Sequence, residues 1–218
     1  MKKEVRYIDI QTAELRAKEE DGSKRLVGYA SVFNSPTIMS DFDEVIRPGT
    51  FLRAIKDRHD AKALKNHNEN FLLGRVKNNT LFLLEDNKGL YTESIPPATQ
   101  TGRDAIIEVE NGYIDQMSFA FVVPEGGDRW TEDENGKLLR EILDVDLYDI
   151  SYVVYPQYTD TSAGVRSSEF RTSKEVFSEF QTKQKQELAL IEDKEAHSQE
   201  RKEQLRKIKI DMIKREVI

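Results

Sequence analysis

The sequence predicts an α+β fold, mainly β, in which short strands form an antiparallel β-barrel flanked by helices and a charged helical extension follows. Three observations carry this expectation. Segments rich in β-branched and aromatic residues, punctuated by Gly, Asn and Asp, recur from about residue 25 to 157, the pattern of a barrel or sandwich. Two short segments with helical capping signals interrupt them. The stretch from Phe170 to Ile218 contains no glycine and no proline, while Glu, Lys, Gln and Arg dominate it.

Three regions follow: residues 1–23 as an N-terminal segment, 24–168 as the β-barrel domain and 169–218 as the charged tail. Arg25–Phe33 reads as the first core strand. Pro48-Gly49 leads into a short helix with Thr50 as N-cap and an apolar face through Phe51, Leu52 and Ile55. Thr80–Leu84 and Leu90–Ile95 read as a hairpin closed by Glu85-Asp86-Asn87-Lys88-Gly89. A second helix runs from Thr101 through Val109 and stops at Asn111-Gly112, a C-cap signal. Met117–Val123 and the stretch Leu139–Tyr155 complete the strands, with Glu134-Asn135-Gly136 as a turn between them. In the tail, Phe177, Phe180, Leu188, Ile191, Leu205, Ile208 and Ile213 are spaced too irregularly for a heptad repeat. It reads as a solvated helix or as an arm that docks on a scaffold, with His197 on its surface.

Composition excludes several classes of function. Among 218 residues there is no cysteine, so a disulfide framework, a thiolate zinc site and a thiol nucleophile are absent, which fits a reducing compartment. A net charge of −7 argues against a general nucleic-acid binder. No apolar run approaches the roughly 18 residues of a membrane span, and Met1-Lys2-Lys3-Glu4-Val5-Arg6 leads into no signal-peptide core, so a soluble cytoplasmic protein is expected. Asp41, Asp43 and Glu44 form an acidic loop without the glycine-punctuated spacing of a calcium site. Neither a phosphate-cradling loop nor a dinucleotide fingerprint is present, and the reading calls for no cofactor and no metal.

The polar residues that remain are chemically suggestive. Taken alone, His67 in Lys65-Asn66-His67-Asn68 is a turn histidine, and Ser118 in Gln116-Met117-Ser118-Phe119-Ala120-Phe121 is a strand serine. Together they supply a nucleophile and a base. Strand alternation puts Ser118, Ala120 and Val122 on one face, leaving room for a substrate, and Met117, Phe119, Phe121 and Val123 on the other. An imidazole base needs its second nitrogen oriented, usually by a carboxylate. Asp144, Asp146 and Asp149 are the candidates. Asp144 and Asp146 alternate with Leu143, Val145 and Leu147 and read as solvent-facing. Asp149 shares the parity of Leu147 and Val153, which points its carboxylate to the apolar face unless a bulge intervenes, and a buried charge needs a partner such as histidine. Asp149 is therefore preferred, with Asp146 and Asp144 left open. The guanidinium of Arg75 in Leu73-Gly74-Arg75 and backbone amides near strand ends are candidate oxyanion donors.

The order of these motifs resembles the prohead (capsid maturation) proteases of tailed bacteriophages, distant relatives of the herpesvirus capsid assembly protease. The matching text is Val27–Asn34, Glu44–Phe51, Asn66-His67-Asn68, Leu73-Gly74-Arg75, Asp86–Leu90, Gly112–Phe121 and Leu147–Pro156, covering roughly residues 24 to 160. The resemblance implies a serine endopeptidase on a herpesvirus-protease-like β-barrel, with Ser118 as nucleophile and His67 as general base. It further implies an enzyme packaged in the assembling prohead within the bacterial host cytoplasm. There it would cut a scaffold protein, or the scaffolding segment of the major capsid protein, and itself; a homo-oligomer is left open, and no nucleic acid or membrane is implied. Two departures stand out: Thr50 replaces a common alanine, and the position of Asp149 is usually glutamate. In the herpesvirus relatives the third member is a histidine, and in this chain only His197 follows Ser118.

Two rival readings remain. The barrel could persist as a non-enzymatic module that binds scaffold or capsid, although such a module has no use for both His67 and Ser118. A small-ester hydrolase is the other rival, and Ser118 lacks the Gly-x-Ser-x-Gly elbow expected of one.

Overall fold

The computed structural model describes residues 3–8, 13–20, 22–39 and 41–154, together with Ser178, Thr182 and Gln186. The chain divides into two compact units, Met1–Val165 and Arg166–Ile218. In the second, the three described residues are helical and the Thr182 hydroxyl donates to the Ser178 carbonyl at 2.8 Å. The rest of the expected tail lies outside the described residues.

In chain order the first unit contains β1 (Glu4–Ile8), β2 (Arg16–Glu20), β3 (Ser23–Val32), β4 (Thr37–Ile38), β5 (Phe42–Ile46), α1 (Leu52–Lys56), β6 (Lys62–Lys65) and β7 (Asn68–Arg75). A 3-10 turn (Val76–Asn78) follows, then β8 (Leu81–Glu85), β9 (Gly89–Ser94), α2 (Gln100–Glu110), β10 (Gln116–Val122), β11 (Asp128–Glu132), β12 (Leu138–Ile142) and β13 (Asp146–Val153). The mainly β character of an α+β fold is present. The single closed barrel is not: the strands pair into three open sheets, ordered β1-β10-β13-β6-β7, β11-β12-β5-β4 and β2-β3-β9-β8.

The reason lies in the stretch Leu139–Tyr155, which reads as continuous strand but breaks at Leu143-Asp144-Val145. Its first half, β12, pairs in parallel with β5, and its second half, β13, lies between β10 and β6 in another sheet. Regular spacing of strands and turns is the same whether sheets close or stack, so it could not distinguish the two. The N-terminal segment is also part of the fold, with β1 antiparallel to β10 and β2 antiparallel to β3.

Local chemistry explains the elements that were expected. Between β8 and β9 the Asp86 carboxylate accepts from the amides of Lys88 and Gly89 at 2.8 and 3.0 Å, closing the hairpin. A Cβ on Gly89 would sit 1.9 Å from the Ser31 carbonyl, so the strand can approach β3 only as glycine. Helix α2 is capped by Thr99, whose hydroxyl accepts from the Gly102 amide at 3.3 Å, and ends at Asn111. Thr50 does not cap α1. Its buried hydroxyl contacts the carbonyls of Arg47 and Ile142, while the Glu85 carboxylate accepts from the amides of Gly49 and Phe51 at 2.5 and 2.9 Å.

The core gathers Leu26, Ala30, Phe51, Leu73, Met117, Phe119, Phe121, Ile150 and Tyr152, with Phe119 stacked on Phe121 at 5.0 Å and edge-on to Phe51 at 5.6 Å. Along this core β3 crosses β10. A Cβ on Gly28 would lie 2.8 Å from Met117 Sδ and 2.9 Å from the Ala13 carbonyl. Gly28→Ala is therefore expected to destabilise the fold by about 1–3 kcal/mol, read as a lower urea midpoint. It would also disturb the strand carrying Ser118, so cleavage activity should fall with it; an unchanged midpoint would contradict this packing.

Candidate active site

Three neighbouring elements of the first sheet bring His67, Ser118 and Asp149 together. Ser118 lies on β10, where it pairs with Ser151 of β13, and Ala120 pairs with Asp149. The other cross-strand pairs, Met117 with Tyr152, Phe119 with Ile150 and Phe121 with Leu147, belong to the core face. Leu147 and Asp149 have the same sequence parity, yet they face opposite ways. The register shifts between Ala120 and Phe121, leaving the exposed Tyr148 without an opposite residue. This one-residue bulge turns the Asp149 carboxylate away from the core and toward the histidine.

His67 occupies the two-residue turn between β6 and β7, where Lys65 pairs with Asn68. Asn66 and His67 both have positive φ, 53° and 54°. Such a turn matches the twist of the flanking strands, and Asn and His tolerate the left-handed region better than most residues. The strained backbone is pinned by its surroundings: the Asn66 amide donates to the Tyr152 carbonyl at 3.0 Å, and the His67 amide to Ser151 Oγ at 3.1 Å.

The resulting distances are short. His67 Nε2 is 2.6 Å from Ser118 Oγ, and His67 Nδ1 is 2.5 Å from Asp149 Oδ1. Ser151 Oγ donates to Asp149 Oδ1 at 3.2 Å, and Lys3 Nζ to Asp149 Oδ2 at 2.7 Å. Burial alone would raise the Asp149 carboxyl, but hydrogen bonds and charge from His67 and Lys3 outweigh it and hold the group below its ordinary value. It stays ionised and able to fix the imidazole with Nδ1 protonated, leaving Nε2 as the acceptor facing Ser118. Contrary to the expected open face, Ser118 is fully buried: its hydroxyl lies under the imidazole and donates to the Arg6 carbonyl of β1 at 2.7 Å.

The sequence profile of the caudovirus prohead serine proteases matches residues 11–176. This chain belongs to that family. Among solved structures it is similar to the capsid assembly protease of bacteriophage T4, at 10% identity and a TM-score of 0.48, over 71% of this chain and 98% of that one. No curated protein matches.

Within this prohead protease the alternative carboxylates are engaged elsewhere. Arg53 of α1 donates to Asp144 and Asp146 at 2.7 Å each, and Asp146 also lies 4.0 Å from His59. Arg75 is held by Asp60 and pairs with Lys62, three strands from β10 in the sheet order. In the acidic loop, Asp43 pairs with Lys137, and Glu44 with Arg6 and Arg140. Among the described residues no group of three His, Asp or Glu is arranged to hold a metal ion, and no helix is long and apolar enough to cross a membrane.

Lys3, Arg6 and Ser151 were missed by the sequence reading. Ser151 had a legible signal, since it follows Asp149 by two on the same strand and so shares its face. Lys3 and Arg6 had none, because their partners are distant in sequence. Glu4 of β1 adds a further anchor to Arg140, at 2.6 and 3.0 Å. Burial works to raise the Glu4 carboxyl, and Arg140, with help from Arg6, brings it below its ordinary value.

A pH dependence follows. Asp149 and Glu4 are both depressed in the folded chain, so their ion pairs stabilise it fully above the ordinary values of 3.8 and 4.5 and are lost as pH falls through the lower folded values. The unfolding midpoint is expected to hold near neutrality and to drop between about pH 5 and about pH 3. Thermal melts across that range check it, and Lys3→Ala should make the drop shallower.

Proposed function

We propose that the chain is a serine endopeptidase of capsid maturation in which Ser118 is the nucleophile, His67 the general base and Asp149 the group that orients His67. The observation that carries the reading is the continuous chain of contacts from Asp149 Oδ1 through both imidazole nitrogens to Ser118 Oγ, at 2.5 and 2.6 Å. Ser118 Oγ attacks the scissile carbonyl carbon as its proton passes to His67 Nε2. The C–N bond then breaks, and the leaving amine takes that proton. Water, deprotonated by His67, hydrolyses the acyl ester and restores the hydroxyl.

The substrates of this reading are the major capsid protein's scaffolding segment or a separate scaffold protein, cut inside the assembling prohead, with self-cleavage in addition. Family membership supports it. So does the place of the nucleophile's strand next to the outer strand β1, a position that an extended peptide can take against β10. The small-ester reading is disfavoured by the absence of a nucleophile elbow, since Ser118 stands within a strand rather than at a strand-to-helix turn.

A fluorophosphonate probe tests the assignment. Peptide mapping of the treated full chain is expected to find the adduct on Ser118 and to lose it in His67→Ala. An adduct formed equally well without His67 would overturn the pairing of this nucleophile with this base.

A further inference from the structure

We propose that the groove along β10 filled by β1 is the channel for the substrate strand, and that Glu44 in its wall selects a lysine or arginine side chain on the residue preceding the cut bond. The inference rests on the serine-endopeptidase reading above and names its specificity.

β1 lies where a substrate must lie. It is the outer strand of its sheet, paired along one edge to the strand of the nucleophile, with Tyr7 opposite Ser118 and Arg6 opposite Phe119. An edge strand can be exchanged for another peptide without opening the interior. The carbonyl in contact with the Ser118 hydroxyl belongs to Arg6, at 2.7 Å. In this register Arg6 holds the place of the residue before the scissile bond. The Arg6 carbonyl thus competes with His67 Nε2 for the single hydroxyl proton of Ser118.

The Arg6 side chain shows what the site accepts. Its guanidinium forms a two-pronged pair with Glu44, through Nε and, at 2.8 Å, Nη2, and lies 5.4 Å from the Phe121 ring. The Glu44 side chain is only 2% exposed. Beyond it stands Arg140, bonded to Glu44 at 3.1 Å, Asp128 at 2.7 Å and Glu4 at 2.6 Å. With β1 in place, Glu4, Glu44 and Asp128 face Arg6 and Arg140. When β1 leaves it removes one charge of each sign, so the excess of one carboxylate is unchanged, but Glu44 loses its two-pronged partner and keeps only the 3.1 Å bond to Arg140. A buried carboxylate stripped of its main hydrogen-bonded partner is costly. A basic substrate side chain relieves it, a neutral one does not, and an acidic one adds repulsion.

The test exposes the full chain and its Arg6→Ala variant, in which β1 loses its main anchor, to a mixed peptide library, and maps every cut by mass spectrometry. Fluorophosphonate labelling of Ser118 runs in parallel. Arg6→Ala should label and cut faster than the native chain. Cuts should follow Lys or Arg at least about tenfold more often than Leu or Glu, and Glu44→Gln should remove most of that preference. Should Glu44→Gln not fold, the cut-site preference of the native and Arg6→Ala chains still decides. A chain whose Ser118 reacts but which cuts without basic preference, or cuts nothing, overturns this inference and leaves the nucleophile standing. A chain whose Ser118 does not react overturns the endopeptidase reading and this inference with it.

Discussion

Ser118→Ala is expected to lower the turnover of peptide cleavage by about 10⁶-fold while the chain stays folded. The side chain lost is small, and its neighbours on the same face, Ala120, Ser151 and the His67 ring, stay in place. His67→Ala should cost about as much, because a hydroxyl without a base is a poor nucleophile. The double variant should be no worse than either single one, since the two groups act as a unit. Steady-state kinetics on one peptide, with circular dichroism to confirm folding, reads all three. Additive losses would mean that the groups act independently, against the geometry that joins them at 2.6 Å.

Asp149→Asn is the second large effect, about 10⁴-fold in kcat with KM changed little. The substitution keeps size and shape but replaces an acceptor with a group that can donate to Nδ1. That exchange favours the tautomer with its proton on Nε2, which can no longer accept from Ser118. It also strands Lys3, whose ammonium bonds Asp149 Oδ2 at 2.7 Å, and weakens the hold on β1. Asp146→Asn should leave kcat within a few-fold, because Asp146 serves Arg53 and not His67. Equal losses from both substitutions would return the choice among the carboxylates to an open question.

The comparison of sequence with structure turns on where the decisive contact is local. The β8–β9 hairpin, β10 and α2 were legible because Asp86, the alternation from Met117 to Val123, and Asn111 act within a few residues of themselves. Ser118 and His67 were legible as residue types, since few other side chains in a chain without cysteine can do covalent chemistry. The orientation of Asp149 was not, because one unpaired residue, Tyr148, inverts the face of everything after it. A bulge of this kind leaves no mark in an alternating pattern.

The three open sheets and the role of the N-terminal strand were illegible for a different reason. The parallel pairing of β6 with β13 and of β5 with β12 joins segments roughly 90 residues apart, and no turn signal announces such a pairing. β1 is five residues long and half polar. Its place is fixed by Glu44, Arg140 and Asp149, which meet it only in the folded chain. Thr50 shows the same limit in miniature: its position suits a cap, but the Ile142 carbonyl claims its hydroxyl and the task passes to Glu85.

The most direct test of the central claim is the intact mass of the cognate major capsid or scaffold protein after co-expression with the native chain and with Ser118→Ala. The account predicts a shortened partner with the native chain and a full-length partner with Ser118→Ala. A partner shortened equally by both, or left whole by both under conditions in which proheads assemble, would contradict it.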